Sequence, residues 1–219
     1  KNATIVNEDR SFIGSLVIDD DRIDEVIEGQ DGESSIPVDE TINGEGCYLL
    51  PGVIDDHVHF RDPGLTQKGD FSSESRAAAA GGVTTVFDMP NCIPQTTTEQ
   101  AFEEKWQIAA SKSVVNYGLF FGATAGNAYE LGKLNPHRVA GVKLFMGSST
   151  GNMLVDNERA LKAIFETAKL PVMAHCERTD IINENMKRAQ ALYGFDPSVE
   201  HHPEIRSAEA CYESTKQAI

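Results

Sequence analysis

From Val53 onward, short apolar runs alternate with segments of helical periodicity, and this alternation limits the folds open to the chain. Strands that alternate with helices are typical of a parallel sheet with right-handed crossovers. Polar residues recur at or near the carboxyl ends of these strands, which is where the active sites of (β/α)8 barrels lie. We therefore predict the α/β class, with a (β/α)8 TIM-like barrel of which the first five or so strands are present.

The individual elements are predicted from periodicity and from capping and turn residues. Apolar runs predict a strand from residues 48–54 that ends near His57 and His59, and further strands at residues 83–89, 114–121, 142–146 and 172–175. Helical spacing predicts helices at residues 70–80, 98–110, 157–168, 179–191 and 203–219. Ser72 or Ser73 is expected near the start of the first helix, and Thr98 and Asp156 or Asn157 are the candidate N-cap residues of the second and third.

Residues 1–50 have a different character, with short β-like runs separated by acidic or glycine-containing turns. Asn43-Gly44 is a typical hairpin signal. We predict that 1–50 form the N-terminal part of a small β-sandwich domain and that 51–219 form the first part of the barrel. Because the sequence ends inside a helical pattern with no closing strand, we expect it to be the first part of a longer protein.

The chemistry of the chain begins with His57 and His59, which follow an apolar run. Residues two apart in a strand share a face, so both imidazoles point the same way. A pair of adjacent imidazoles can bind a metal ion. A lone His-x-His pair is more often structural, and the later strands therefore decide its interpretation.

Lys143 and His175 each interrupt a short apolar run further along the chain. A buried ammonium group is costly unless it has a partner or a function. Lys143 is open to three interpretations: a side chain that reaches the strand end, a Schiff-base lysine, or a lysine carbamylated by carbon dioxide that bridges two cations. The three histidines favour the metal-bridging interpretation, because a carbamate needs cations beside it.

The formal net charge of −15 for 219 residues argues against nucleic-acid binding and against an anionic membrane surface, since both need a basic face. No apolar run approaches the roughly 20 residues that span a bilayer. The four cysteines are widely spaced, so we predict neither a disulfide framework nor a structural zinc site of cysteines. A reducing, cytoplasmic location is the expectation.

Four segments, taken in order, resemble the amidohydrolase superfamily and, within it, the dihydroorotases. They are His57-Val-His-Phe-Arg-Asp-Pro-Gly64, Asp88-Met-Pro-Asn-Cys-Ile-Pro94, Gly141-Val-Lys-Leu-Phe-Met-Gly147 and Ala174-His-Cys-Glu177. The match is strong from Pro51 to about Glu177 and loose before it. His-x-His is shared by many hydrolases, whereas the Phe-Arg-Asp-Pro-Gly extension and the Met-Pro-Asn segment are more specific.

The resemblance implies a site with two zinc ions. His57 and His59 would bind one ion, His175 the other, and carbamylated Lys143 would bridge them. Arg61 and Asn91 would hold the substrate carboxylate. In the family a further histidine and a catalytic aspartate lie on later strands, so we expect both beyond Ile219 and assign no catalytic acid or base within this chain.

The reaction implied is the reversible hydrolysis of dihydroorotate to N-carbamoyl-aspartate, a step of pyrimidine biosynthesis. An allantoinase or a dihydropyrimidinase is the first alternative, and Arg61 argues against it because those substrates lack a ring-attached carboxylate. An inactive homologue that serves as a partner subunit, or a Schiff-base enzyme using Lys143, are further alternatives. The expected partner is a small-molecule substrate, and the resemblance also implies a possible homodimer.

Overall fold

The computed structural model describes residues 1–147 and 153–219. These residues divide into two compact units, Lys1–Val53 and Ile54–Ile219. In the first unit, β1 (Ala3–Asn7), β2 (Arg10–Asp19), β3 (Arg22–Glu28) and β4 (Tyr48–Leu49) form one sheet in the order β3-β2-β1-β4. The predicted second layer of a β-sandwich, and with it the domain division at residue 50, stays a prediction.

The turn predicted at residues 41–46 is present, since Cys47 N donates to Gly44 O at 2.9 Å, but it does not close a hairpin. The Gly44 N–H donates to the carbonyl oxygen of Lys1 at 2.7 Å. The strand that follows, β4, pairs parallel with β1, whereas a hairpin would require antiparallel neighbours. The apolar run 48–54, predicted as one strand, is therefore divided: its first part pairs with β1, and a separate strand begins at Val53.

The second unit contains five strands: β5 (Val53–Val58), β6 (Val83–Asp88), β7 (Asn116–Gly122), β8 (Val139–Phe145) and β9 (Val172–His175). They form one sheet in the order β5-β6-β7-β8-β9, and β6 to β9 pair in parallel. This order follows the sequence without a reversal, as in a barrel, whereas a doubly wound sheet reverses its strand order at a switch point. The prediction of a partial (β/α)8 barrel is confirmed.

The helices between and after the strands are α1 (Phe71–Ala80), α2 (Glu99–Lys112), α3 (Ala128–Leu131), α4 (Glu158–Thr167), α5 (Thr179–Tyr193), α6 (His202–Ile205) and α7 (Ala208–Ala218). A 3₁₀ turn, Val199–His201, precedes α6. The short α3 was not predicted. None of the helices in the described part of the chain is long and apolar enough to cross a membrane.

Side-chain caps start most of the longer helices. Thr98 accepts from a backbone N–H of α2 and Asn157 does the same for α4, as predicted. Asp70 caps α1 by accepting from Ser73 N at 2.7 Å, and Ser72 and Ser73 lie in the first turn of the helix, as expected. The negative charge of this carboxylate also interacts favourably with the positive end of the helix dipole.

The single helix predicted at residues 203–219 is in fact two helices. The backbone at Arg206 has φ −93° and ψ 70°, which is outside the helical region and ends α6. Ser207 then caps α7 by accepting from Ala210 N at 3.3 Å. The proline signal and the apolar periodicity did not reveal this second start.

The core of the second unit lies around the central strands. Six of the seven residues of β8 are buried. α2 covers the sheet with Phe102 and Ala109, and α4 covers it with Leu161 and Ile164. A charged side chain within β8 therefore has little access to water, and this makes the position of Lys143 chemically informative.

Candidate active site

His57 and His59 lie at the carboxyl end of β5, with His57 inside the strand and His59 just after it. Their ring centroids are 5.3 Å apart. Burial lowers the pKa of both imidazoles, and for His59 the neighbouring Arg61 lowers it further, to about 4. Both rings are therefore neutral at pH 7, and neutral imidazole is the form that binds a metal ion.

Lys143 lies in β8 and is only 2% exposed. Its amine lies 5.0 Å from the centroid of the Phe145 ring. Burial lowers the pKa of this amine, and no carboxylate of the described residues lies within ion-pair distance of it. A lowered pKa increases the fraction of neutral amine, which is the nucleophilic form required for a carbamate or a Schiff base.

His175 is the last residue of β9, and its side chain is 38% exposed. Its Nε2 lies 2.7 Å from Glu177 Oε2, and Arg206 binds the same carboxylate through two N–H groups. The hydrogen bonds from Arg206 are the main cause that lowers the pKa of Glu177. With Nε2 held in this way, Nδ1 is the His175 nitrogen left for a metal ion.

These residues converge on one region of the sheet. Lys143 and Phe145 share a face of β8, and Phe145 pairs in register with His175. The positive charge of Lys143 also contributes to the lowered pKa of His57 and of His59. The predicted residues are therefore close enough to interact electrostatically.

The side chains of His57, His59, His175 and Lys143 can hold two bridged metal ions only if Lys143 is carbamylated, because the carbamate adds a carboxylate group. Among residues 1–147 and 153–219, no three histidine, cysteine, aspartate or glutamate side chains are arranged to hold an ion by themselves. Three imidazoles near a buried amine that has no carboxylate partner among the described residues suit a carbamate, which would supply the missing oxygen ligands. The metal-ligand roles of His57, His59, Lys143 and His175 stay predictions.

Arg61 and Asn91 have buried polar atoms without partners. In the part of the chain that the structure describes, Arg61 Nη1 and Asn91 Oδ1 make no hydrogen bond. Arg61 also has a φ of 67°, in the left-handed region that few arginines adopt. Buried polar groups are usually satisfied, so these two atoms indicate a place for a polar ligand.

A close contact joins the two loops that carry Arg61 and Asn91. Ile93 N donates to Pro63 O at 3.0 Å. Gly64 has a φ of 83°, and a Cβ added there would lie 2.0 Å from Ile93 O. Glycine at position 64 is therefore required both for the backbone conformation and for the approach of the two loops.

Sequence reasoning missed several charged residues that support this region. Lys105 and Asp88 form a buried ion pair next to Asn91, and Glu177 and Arg206 hold His175. A signal for Lys105 was present, because it falls on the same face of α2 as the buried Phe102 and Ala109. Arg206 follows a short helix far from His175 in sequence, and no local pattern marks it. The expected catalytic aspartate and the last histidine, placed beyond Ile219, stay predictions.

Comparisons with known proteins add independent evidence. The model of the amidohydrolase family matches residues 48–206. A dihydroorotase of Methanothermobacter thermautotrophicus is 40% identical over 181 residues, and an allantoinase of Desulfitobacterium hafniense is 35% identical over 189 residues. The alignments cover 82% and 84% of this chain but 39% and 41% of those relatives.

A solved structure gives the same picture for the fold. The L-hydantoinase (dihydropyrimidinase) from Arthrobacter aurescens superposes with a TM-score of 0.89 at 28% sequence identity. The superposition covers all of this chain and 48% of that one. The chain thus spans less than half the length of these relatives. The order of the site residues, the sequential parallel sheet and these matches agree: the chain belongs to the amidohydrolase family.

Proposed function

We propose that this chain is part of a dihydroorotase, which hydrolyses dihydroorotate reversibly to N-carbamoyl-aspartate. The observation that carries the proposal is the buried, unpartnered Nη1 of Arg61 beside the neutral pair His57 and His59. Both the substrate and the product of this reaction carry a carboxylate, and a guanidinium is well suited to bind one. The dihydroorotase relatives at about 40% identity support the same assignment.

Arg61 and Asn91 would orient the substrate ring. The Arg61 guanidinium donates to the ring carboxylate, and Asn91 can donate from Nδ2 and accept a ring N–H at Oδ1. Asn91 is only 5% exposed, so these hydrogen bonds would form away from bulk water. Such fixed contacts place the scissile amide at the end of β5 and reduce the entropy lost in reaching the transition state.

His57, His59, His175 and Lys143 would hold two zinc ions. To do so, the neutral amine of Lys143 attacks carbon dioxide and loses a proton, which gives an anionic carbamate with two oxygen ligands. When bound, the ions would lower the pKa of a water molecule and polarise the ring amide carbonyl. Glu177 would orient the His175 ring, in the way that a carboxylate commonly orients a metal-binding histidine.

The cellular setting follows from the proposed reaction and stays part of the proposal. Dihydroorotate and N-carbamoyl-aspartate belong to pyrimidine biosynthesis, in the cytoplasm. The four cysteines are free thiols in this structure, in keeping with a reducing compartment. A homodimer stays a prediction.

Another cyclic-amide hydrolase is the second candidate, and it too rests on a specific observation. Allantoinase relatives are 34–35% identical, and an L-hydantoinase shares the fold. Allantoin, dihydrouracil and hydantoin lack a carboxylate on the ring. Arg61 would then have no partner in the substrate, and this makes dihydroorotate the better proposal.

The deciding experiment uses the full-length protein that contains this chain. Zinc content is measured together with turnover of dihydroorotate, allantoin, dihydrouracil and hydantoin at pH 7.5. About two zinc ions per chain with preference for dihydroorotate is the expected result. Preference for an amide without a carboxylate would show that the protein acts on that substrate and not on dihydroorotate. Absence of both metal and turnover would show that the protein is a non-catalytic homologue.

A further inference from the structure

Lys105 and Asp88 form an ion pair that is fully enclosed by protein. Lys105 is 0% exposed and Asp88 is 1% exposed. Lys105 Nζ lies 2.5 Å from Asp88 Oδ2 and donates to the carbonyl oxygen of Met89 at 2.7 Å. Among the described residues, neither side chain makes a hydrogen bond or ion pair with His57, His59, Lys143 or His175.

The pair lies between the two segments that carry the candidate site. Asp88 Oδ1 accepts from Phe60 N at 2.7 Å, and Phe60 separates His59 from Arg61. Met89, whose carbonyl oxygen is bound by Lys105, lies two residues before Asn91. One helix side chain is thereby connected, through a carboxylate and a carbonyl, to both segments.

Packing alone does not explain a charged pair at this position. Burial of an ion pair is costly, and apolar side chains of similar size often stabilise a core as well or better. Phe102 and Ala109, on the same face of α2, show that apolar residues fill this interface elsewhere. A lysine and an aspartate instead fix directions, because each hydrogen bond specifies where the opposing backbone atom lies.

We propose that Lys105 is a positioning residue, which acts through Asp88 and the Met89 carbonyl to hold the His59–Arg61 segment at a fixed distance from Asn91. Without it the carboxylate is free to turn, and the two loops lose their common anchor. The role in catalysis rests on the proposed function. The role in holding the two segments does not, since it concerns contacts inside the free protein.

The test uses three variants of the full-length protein and one control. Lys105→Met removes the charge, Lys105→Arg restores it, and Lys105→Met combined with Asp88→Asn removes both charges in case the single variant fails to fold. Lys162→Met is the matched control, because Lys162 lies on α4 in an exposed pair with Glu166 at 3.7 Å. Amide hydrogen exchange is followed by mass spectrometry in segments 57–62, 88–93 and 158–167.

Lys105→Met, or the double variant, is expected to exchange faster in 57–62 and 88–93 while 158–167 stays as in the wild type. Its kcat/KM should fall about 10- to 100-fold, since a misplacement of ~1 Å can cost that much. Lys105→Arg should recover most of both losses, and Lys162→Met should change neither. Kinetics are measured on whichever cyclic amide the wild type hydrolyses.

Two results would overturn the proposal. Unchanged exchange in both site segments would mean that the pair does not hold them. Faster exchange that extends equally to 158–167 would mean that Lys105 serves only general stability. Because exchange needs no substrate, a wild type that ignores dihydroorotate would count against the proposed function and leave this test intact.

Discussion

Lys105 and Lys143 are both buried, but among the described residues only Lys105 has a carboxylate within ion-pair distance. Lys105 is therefore held by Asp88 and by its hydrogen bond to the Met89 carbonyl oxygen. Burial lowers the pKa of Lys143, and this favours its neutral amine. The same side chain thus has two chemical roles, decided by its neighbours.

Replacement of Lys143 by alanine should abolish both turnover and zinc retention in the full-length protein, because the bridging carboxylate is lost. A short-chain carboxylic acid added with zinc should restore part of the activity by occupying the empty volume. Zinc analysis and steady-state kinetics check this. Full activity of Lys143→Ala without added acid would contradict the bridging role.

Replacement of Arg61 by methionine should raise the KM for dihydroorotate roughly 10- to 100-fold, as expected for loss of a charged hydrogen bond worth about 1.5–3 kcal/mol. Zinc content should stay near the wild-type value. Arg188→Met serves as the control, since Arg188 is exposed and pairs with Glu184 on α5. An unchanged KM would show that Arg61 does not bind the carboxylate.

The lowered pKa of His59 has a consequence for stability. Its folded-state pKa is about 4 against an ordinary value of 6.5, so between these values the unfolded state binds more protons. The metal-free protein should lose stability as the pH falls from about 6.5 toward 4. Chemical unfolding at several pH values measures this, and His59→Asn should flatten the dependence relative to wild type, whereas the exposed His202→Asn should not.

At the scale of elements, local sequence signals were sufficient to predict the bounds of a strand or helix where these depend only on residues nearby in the chain. The limits of β9 agree with the sequence pattern, and Thr98 and Asn157 cap their helices as predicted. The failures involve partners far away in sequence. The apolar run 48–54 is divided between β4, which pairs with β1, and β5, and the C-terminal helical pattern is split at Arg206, whose guanidinium binds Glu177.

Gly64→Ala should separate the two loops that carry Arg61 and Asn91. The added Cβ would meet Ile93 O, and KM should rise with it. Gly82→Ala is the matched control, since Gly82 has a nearly identical φ of 82° but no atom within 4 Å of an added Cβ. Both variants should lose about 1 kcal/mol or more from backbone strain. Equal KM values in the two variants would show that the contact between Gly64 and Ile93 does not affect substrate binding.

At the scale of the whole molecule, the chain forms two units with different internal organisation. The first contains a long stretch without strands or helices between β3 and β4, in which Glu33 and Glu40 are exposed. The second contains all the residues singled out for chemistry. The alignments cover about two fifths of the length of the relatives.

Limited digestion with a glutamate-specific protease should cut first after Glu33 or Glu40, since exposed segments without backbone pairing are the preferred sites of cleavage. Products that begin at Ser34 or Thr41 are expected by N-terminal sequencing. A first cut within Ile54–Ile219 would show that the second unit opens more readily than its burial implies.

The sequence by itself determined the class of fold and the candidate residues. Apolar periodicity fixes which segments become strands and helices, and a polar residue at the end of an apolar run is visible without coordinates. His57, His59, Lys143 and His175 could therefore be named in advance, and the partial barrel was predicted correctly.

Only the tertiary structure decided how these residues are held. Three contacts each join residues that are distant in the chain. They are the ion pair of Lys105 with Asp88, the ion pair of Arg206 with Glu177, and the close approach of Gly64 to Ile93. Such contacts depend on which surfaces pack together. That choice is made by the burial of the whole core, and no local pattern of residues records it.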